Sequence, residues 1–163
     1  MNIIGLAGEH WVISTLYRLG LSVVPTPTNY PGVDALVLYE NGTFRSVQVK
    51  ASADINRNMF LGKILREDRS HVYVLVYFGD NSGKRTAARH DRFRNPLVVP
   101  EVYIVPGTEL RALTKSSGTV GWVLSDALLV ASKARDNWEI LTTPPAIATV
   151  GVSLDQTSLH ARA

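Results

Sequence analysis

"PGVDALVLYENGTFRSVQVKAS", residues 31–52, holds two apolar runs, 33–39 and 44–51, on either side of Asn41-Gly42. That dipeptide between alternating hydrophobic residues is the strongest short-range sign of a β-hairpin. The strands nevertheless carry Asp34, Gln48 and Lys50 in their interiors. Gln48 and Lys50 are two apart and share one face, while Val47 and Val49 point to the other. A two-residue loop would set Asp34 against Val49 and split the polar groups between faces. A three-residue loop, Glu40-Asn41-Gly42 with Gly42 left-handed in a bulge, sets Tyr39 against Thr43 and Asp34 against Gln48. The second register is expected, because it gathers three polar groups that are costly to bury singly. Leu36, Leu38 and Phe44 lie on that same face and, being apolar, are expected to be buried.

Working outward, Val12, Ile13, Leu16 and Leu19 recur at helical spacing over 8–19, and Gly20 supplies a stop. Glu9 falls on the same stripe at ~100° per residue and so points inward. It reads either as a first-turn glutamate favoured by the helix dipole, or as an inward carboxylate retained because it meets other charged groups. "LSVVP", 21–25, is a short strand before a proline-rich loop, and 52–70 stays open between a strand and a helical turn. "HVYVLVYF", 71–78, has the continuous β-branched and aromatic character of a central strand buried on both faces. A long, arginine-rich connection follows over 79–100, then the strand "EVYIVPG", 101–107. Ser125 or Asp126 is placed to cap a helix carrying Ala127, Leu128, Val130 and Ala131, and "NWEIL", 137–141, adds an aromatic anchor. The elements predict an α/β fold, a central mixed sheet flanked by helices, in one domain over 1–142. The aperiodic tail 143–163 is expected to be partly disordered.

A chain of 163 residues is long enough for one self-sufficient core. It has no cysteine, which excludes disulfides and thiolate metal sites. No basic leader precedes an apolar run, and the uncharged stretch 140–154 is broken by Pro144 and Pro145 and is shorter than the ~20 residues of a membrane span. A soluble, cytoplasmic protein without a membrane partner is expected. The sequon at Asn41 reads as a turn. Net charge is +3 and the sequence pI is 9.3. Residues 57–94 hold nine Lys or Arg against four acids, so the basicity is concentrated there, as a phosphate-facing surface requires. His10, His71, His90 and His160 lack paired ligand spacing. There is no nucleophile elbow and no P-loop; "GLAG", 5–8, is more simply a helix start.

Glu9 on the first helix, Asp34 after "PG" on the second strand and "VQVK", 47–50, on the third resemble the PD-(D/E)xK nuclease superfamily, the restriction-endonuclease-like fold also found in Holliday junction resolvases. The resemblance covers about the first half of the chain, and "EVYIVPG" and "DNWEIL" look similar to small members of the superfamily. It implies an αβββαβ core and hydrolysis of DNA phosphodiester bonds with Mg²⁺ or Mn²⁺. Asp34, the Gln48 side-chain carbonyl and the Val49 backbone carbonyl would hold the ion, with Glu9 acting through water. Lys50 would orient or deprotonate the attacking water. Lys84, Arg85, Arg89, Arg92 and Arg94 would grip the phosphates of duplex or branched DNA. A homodimer is carried over from the family. Gln48 stands where the superfamily usually has an acid, so one negative charge is lost. The resemblance therefore supports a metal-dependent endonuclease or, alternatively, a DNA-binding or assembly module that keeps the fold without catalysis. A protein-interaction module with no nucleic-acid role is the third reading.

Overall fold

The β-branched runs form the sheet and the turn residues divide it. The computed structural model describes residues 2–27, 30–53, 59–79, 99–116, 121–125, 128–129 and 132–146. Helix α1 (Ile3–Arg18) precedes β1 (Ser22–Pro25), β2 (Ala35–Leu38), β3 (Phe44–Ser52), β4 (Phe60–Gly62), β5 (His71–Tyr77) and β6 (Glu101–Pro106). A helical turn at Gly107–Leu110 leads to β7 (Thr114–Ser116) and β8 (Trp122–Leu124), and another helical turn spans Glu139–Thr142. The main sheet runs β1-β2-β3-β5-β6 and is mixed: β3 and β5 are parallel, and every other neighbouring pair is antiparallel. A parallel pair needs a crossover connection. The described part of this one carries β4, which joins β8 and β7 in a second, three-stranded sheet.

The hairpin has the expected register. Ala35 opposes Val47 and Leu38 opposes Phe44, and the Tyr39 N–H donates to the Thr43 carbonyl at 3.0 Å. Gly42 has φ +78°, the left-handed value this bulged loop demands. Asn41 Oδ1 closes the turn by accepting from the Thr43 N–H and hydroxyl at 3.0 and 2.6 Å.

Strand β5 is buried along its whole length because both faces of the sheet are covered at this strand. It is an interior strand, although β3 takes the middle place. On one side Val12 and Leu16 of α1 pack on Ala35, Val37, Val47, Val49 and the β5 valines. Trp138 and Leu141 close this layer, with the Trp11 and Trp138 rings 6.2 Å apart and the Tyr39 hydroxyl donating to the Leu141 carbonyl at 2.7 Å. On the other side Tyr73, Leu75, Tyr77 and Tyr103 meet Leu61, Leu65, Leu110, Leu124 and Leu129. Leu16 has no exposed surface, so truncating it to alanine costs about 2–5 kcal/mol.

Two expectations need correction. The first helix starts at Ile3 rather than Gly8, because Asn2 caps it by accepting from the Gly5 N–H at 3.2 Å. Phe44 and Leu38 are exposed and Leu36 is half-buried, because the layer over β5 and β6 stops short of β1 and β2. The bases Lys84, Arg85, Arg89, Arg92 and Arg94 lie outside the described residues, as do Asp126, Ala127, Val130, Ala131 and the tail 147–163.

Candidate active site

Strand β2 ends at Ala35 opposite Val47, while β3 runs on to Ser52. Past Val47, therefore, the β2-facing edge of β3 has no ladder partner. Alternation along β3 directs its even-numbered backbone groups to β5, as in the bond from the Phe78 N–H to the Ser52 carbonyl, and its odd-numbered groups to the β2 side. The Val49 N–H and C=O thus point into the gap where the two strands part. The N–H would otherwise be a costly orphan. Asp34 resolves this: its Oδ2 accepts from the Val49 N–H at 2.6 Å. The backbone of Asp34 is fixed on its other side, where its carbonyl accepts from the Thr26 N–H at 3.1 Å.

Glu9 arrives from the helix layer. Gly8 is buried against β3, and a β-carbon there would lie 2.5 Å from the Ala51 β-carbon, so only glycine allows α1 this close. The next residue, Glu9, is half-buried. Since α1 begins at Ile3, no acidic residue occupies its first turn, and the helix-end reading of Glu9 does not hold. Burial raises the Glu9 pKa above the usual carboxylate range, the Asp34 charge raises it further, and His10 and Lys50 pull it back. Burial likewise raises the Asp34 pKa, against the lowering effects of the Val49 N–H and the Lys50 ammonium. Glu9, Asp34 and Lys50 therefore share one electrostatic neighbourhood. Glu9 belongs to the α1 layer and Lys50 to the opposite face of β3, and Asp34 sits at the open strand edge between those faces, held to the Val49 N–H.

Gln48 shares the face of Lys50; the expected pairing of Asp34 with Gln48 is not formed, because the ladder ends at Ala35 opposite Val47 and the Asp34 N–H donates to the Val47 carbonyl at 2.8 Å. Among the described residues no group of three or more His, Cys, Asp or Glu side chains is clustered to hold a metal ion. Any metal here would have at most the Glu9 and Asp34 carboxylates to draw on, with the Gln48 amide and the Val49 carbonyl as neutral oxygens. Such a set suits Mg²⁺, a hard ion commonly held through one or two carboxylates while it keeps several waters. Two half-buried carboxylates whose pKa values burial raises are also groups that a divalent cation would favour in the ionised form.

Two contributors escaped the sequence reading. Arg66 donates to the Pro31 carbonyl at 3.3 Å, and its Nε lies 3.2 Å from where a β-carbon on Gly32 would sit. It thereby clamps the Pro31-Gly32 turn ahead of Asp34; Gly32 also has φ +69°. The Arg66 N–H is tied in turn to the buried Tyr73 hydroxyl at 2.8 Å. Gly8 is the second, and a glycine opposite a strand of small residues was its only signal. No family model matches the chain, and no curated protein sequence matches it. No helix among the described residues is long and apolar enough to cross a membrane.

Proposed function

We propose that the chain is a divalent-cation-dependent nuclease of the restriction-endonuclease-like αβββαβ type, hydrolysing DNA phosphodiester bonds. The observation that carries this reading is Asp34 held by the Val49 N–H where β2 and β3 part, within the electrostatic influence of Glu9 and Lys50, with the Val49 carbonyl directed into the same gap. Asp34, Gln48 and the Val49 carbonyl would hold Mg²⁺ or Mn²⁺, with Glu9 acting through water. When bound, the ion supplies Lewis-acid stabilisation of charge on the phosphate and acidifies water. The Val49 N–H holds one Asp34 oxygen and leaves the other to turn toward the gap. Lys50 orients the attacking water and offsets charge developing on the phosphate oxygens. Arg66 positions Asp34 through the turn before it, a supporting role of the kind that metal sites require.

Incubation of labelled duplex, branched and single-stranded DNA with Mg²⁺ or Mn²⁺ tests the proposal. Cleavage abolished by Asp34→Ala and by Lys50→Ala is expected. No cleavage of any substrate, or cleavage indifferent to both changes, would remove it. The second reading, a DNA-binding module without turnover, is favoured by one observation: Gln48 leaves the site with two acids. It requires salt-sensitive DNA binding with no metal-dependent product.

A further inference from the structure

The structure assigns a second binding site, an unpaired-base pocket beside the Asp34 turn, and it rests on the nuclease reading for the nature of its ligand. A cavity of about 640 Å³ opens between the uncovered face of β1–β3 and the segment 66–70. That size suits a small flat ligand. Its walls are mainly apolar, with Val24, Leu36, Tyr30 and Phe44 among them, and Arg66 supplies a cation. Tyr30 is 56% and Phe44 50% exposed, so both rings can receive a partner. Exposed aromatic rings beside an arginine are how proteins hold unpaired bases, which stack on the rings while the cation meets the backbone.

Position links this cavity to the candidate active site. Phe44, Ser46, Gln48 and Lys50 are alternate residues of β3 and share one face. At the rise of a strand, Lys50 lies roughly 13 Å from Ser46. A single stacked step of ~3.4 Å does not cover that distance, but a short run of unstacked nucleotides does. Arg66 lines the cavity and bonds the Pro31 carbonyl, three residues before Asp34, where an intervening phosphate could meet its charge. Asp68, also on the wall, accepts from the Ser70 N–H and hydroxyl at 3.1 and 2.7 Å and stays ionised, and the Arg66 cation on the same wall offsets its charge. A strand entering this cavity cannot remain paired, because its base must leave the stack. The substrate class that fits is DNA with a single-stranded or frayed segment beside the cleaved bond.

The test is binding without metal, so that turnover plays no part. Fluorescence anisotropy in EDTA compares a labelled oligothymidylate with a blunt duplex for the wild type, Tyr30→Leu and Phe44→Leu. Leucine keeps apolar bulk and removes the flat ring; both positions are exposed enough for folding to persist, which circular dichroism checks. Each change is expected to weaken single-strand binding about 5- to 150-fold, the span of base-aromatic stacking, and duplex binding less than about twofold. Arg66→Ala is expected to reduce the salt slope by about one. Equal binding of the oligothymidylate by all forms, or none by the wild type, overturns the proposal. So does a wild-type dimer in sedimentation that Phe44→Leu dissolves, since a second copy would then own this face. DNA cleavage that ignores both rings overturns the pocket and leaves the nuclease reading intact. Ring-dependent binding with no cleavage in Mn²⁺ does the reverse.

Discussion

Asparagine and alanine at position 34 separate the two tasks the structure gives Asp34. Its Oδ2 satisfies the Val49 N–H at 2.6 Å, and its charge, partly desolvated, raises the pKa of Glu9. Asp34→Asn keeps an acceptor and removes the charge; Asp34→Ala removes both. An unsatisfied, part-buried N–H costs about 1–3 kcal/mol, and a chain of this size loses about 2–4 °C per kcal/mol. Asp34→Ala should therefore melt about 2–12 °C below Asp34→Asn in EDTA near neutral pH. The asparagine form should melt at or above the wild type, because burial disfavours the ionised carboxylate. The sign follows from linkage. A carboxyl with a raised folded pKa binds protons more tightly when native, so its contribution to stability is full below the unfolded value, 3.8 for Asp34 and 4.5 for Glu9. It is lost as pH rises through the folded pKa. The gap between asparagine and wild type should accordingly widen from acid to neutral pH. Thermal unfolding followed by circular dichroism across that range reads both effects. Alanine melting with asparagine, or a gap that closes as pH rises, would refute the reasoning.

Two other sites give independent expectations. On the proposed reading, Gln48→Glu adds a carboxylate next to Val49, whose N–H Asp34 holds, and should tighten Mn²⁺ binding on the order of tenfold, read by calorimetric titration, while raising the metal-free repulsion and so lowering the melting temperature in EDTA. His71 is fully buried with its Nδ1 2.8 Å from the Ser46 hydroxyl, and burial depresses its pKa from 6.5 to about 4, against the raising effect of Asp68. Its neutral form stabilises the fold above pH 6.5, and that stability is lost as pH falls toward 4 because the unfolded chain takes the proton first, a loss on the order of 3 kcal/mol. His71→Phe should lower the melting temperature at neutral pH and remove this part of the acid sensitivity, as parallel melts at both pH values would show.

The hairpin was legible because its determinants are local. Asn41-Gly42 and the even spacing of Asp34, Gln48 and Lys50 settle a register without reference to the rest of the chain. Strand β5 was legible for the same reason, its apolar run leaving no face for solvent. The start of α1 was hidden because Gly5 and Gly8 look like helix breakers, whereas Gly8 is required by packing against Ala51, a contact distant in sequence. Burial of Leu36, Leu38 and Phe44 was expected from their apolar character alone. Coverage of a sheet face depends on where the second layer ends, and β4, β7 and β8 are too short to announce it. Arg66 was invisible as a positioning residue, since nothing in a basic run of sequence tells which arginine reaches a carbonyl 35 residues away.

A crystal grown with Mn²⁺ and measured at the manganese edge tests the proposed site most directly. One anomalous peak is expected in the gap between β2 and β3, within coordination distance of an Asp34 oxygen and the Val49 carbonyl, with Glu9 turned toward it. A peak elsewhere, or none with Asp34 still bound only to the Val49 N–H, would leave the cluster a structural feature of the strand edge and contradict the assignment.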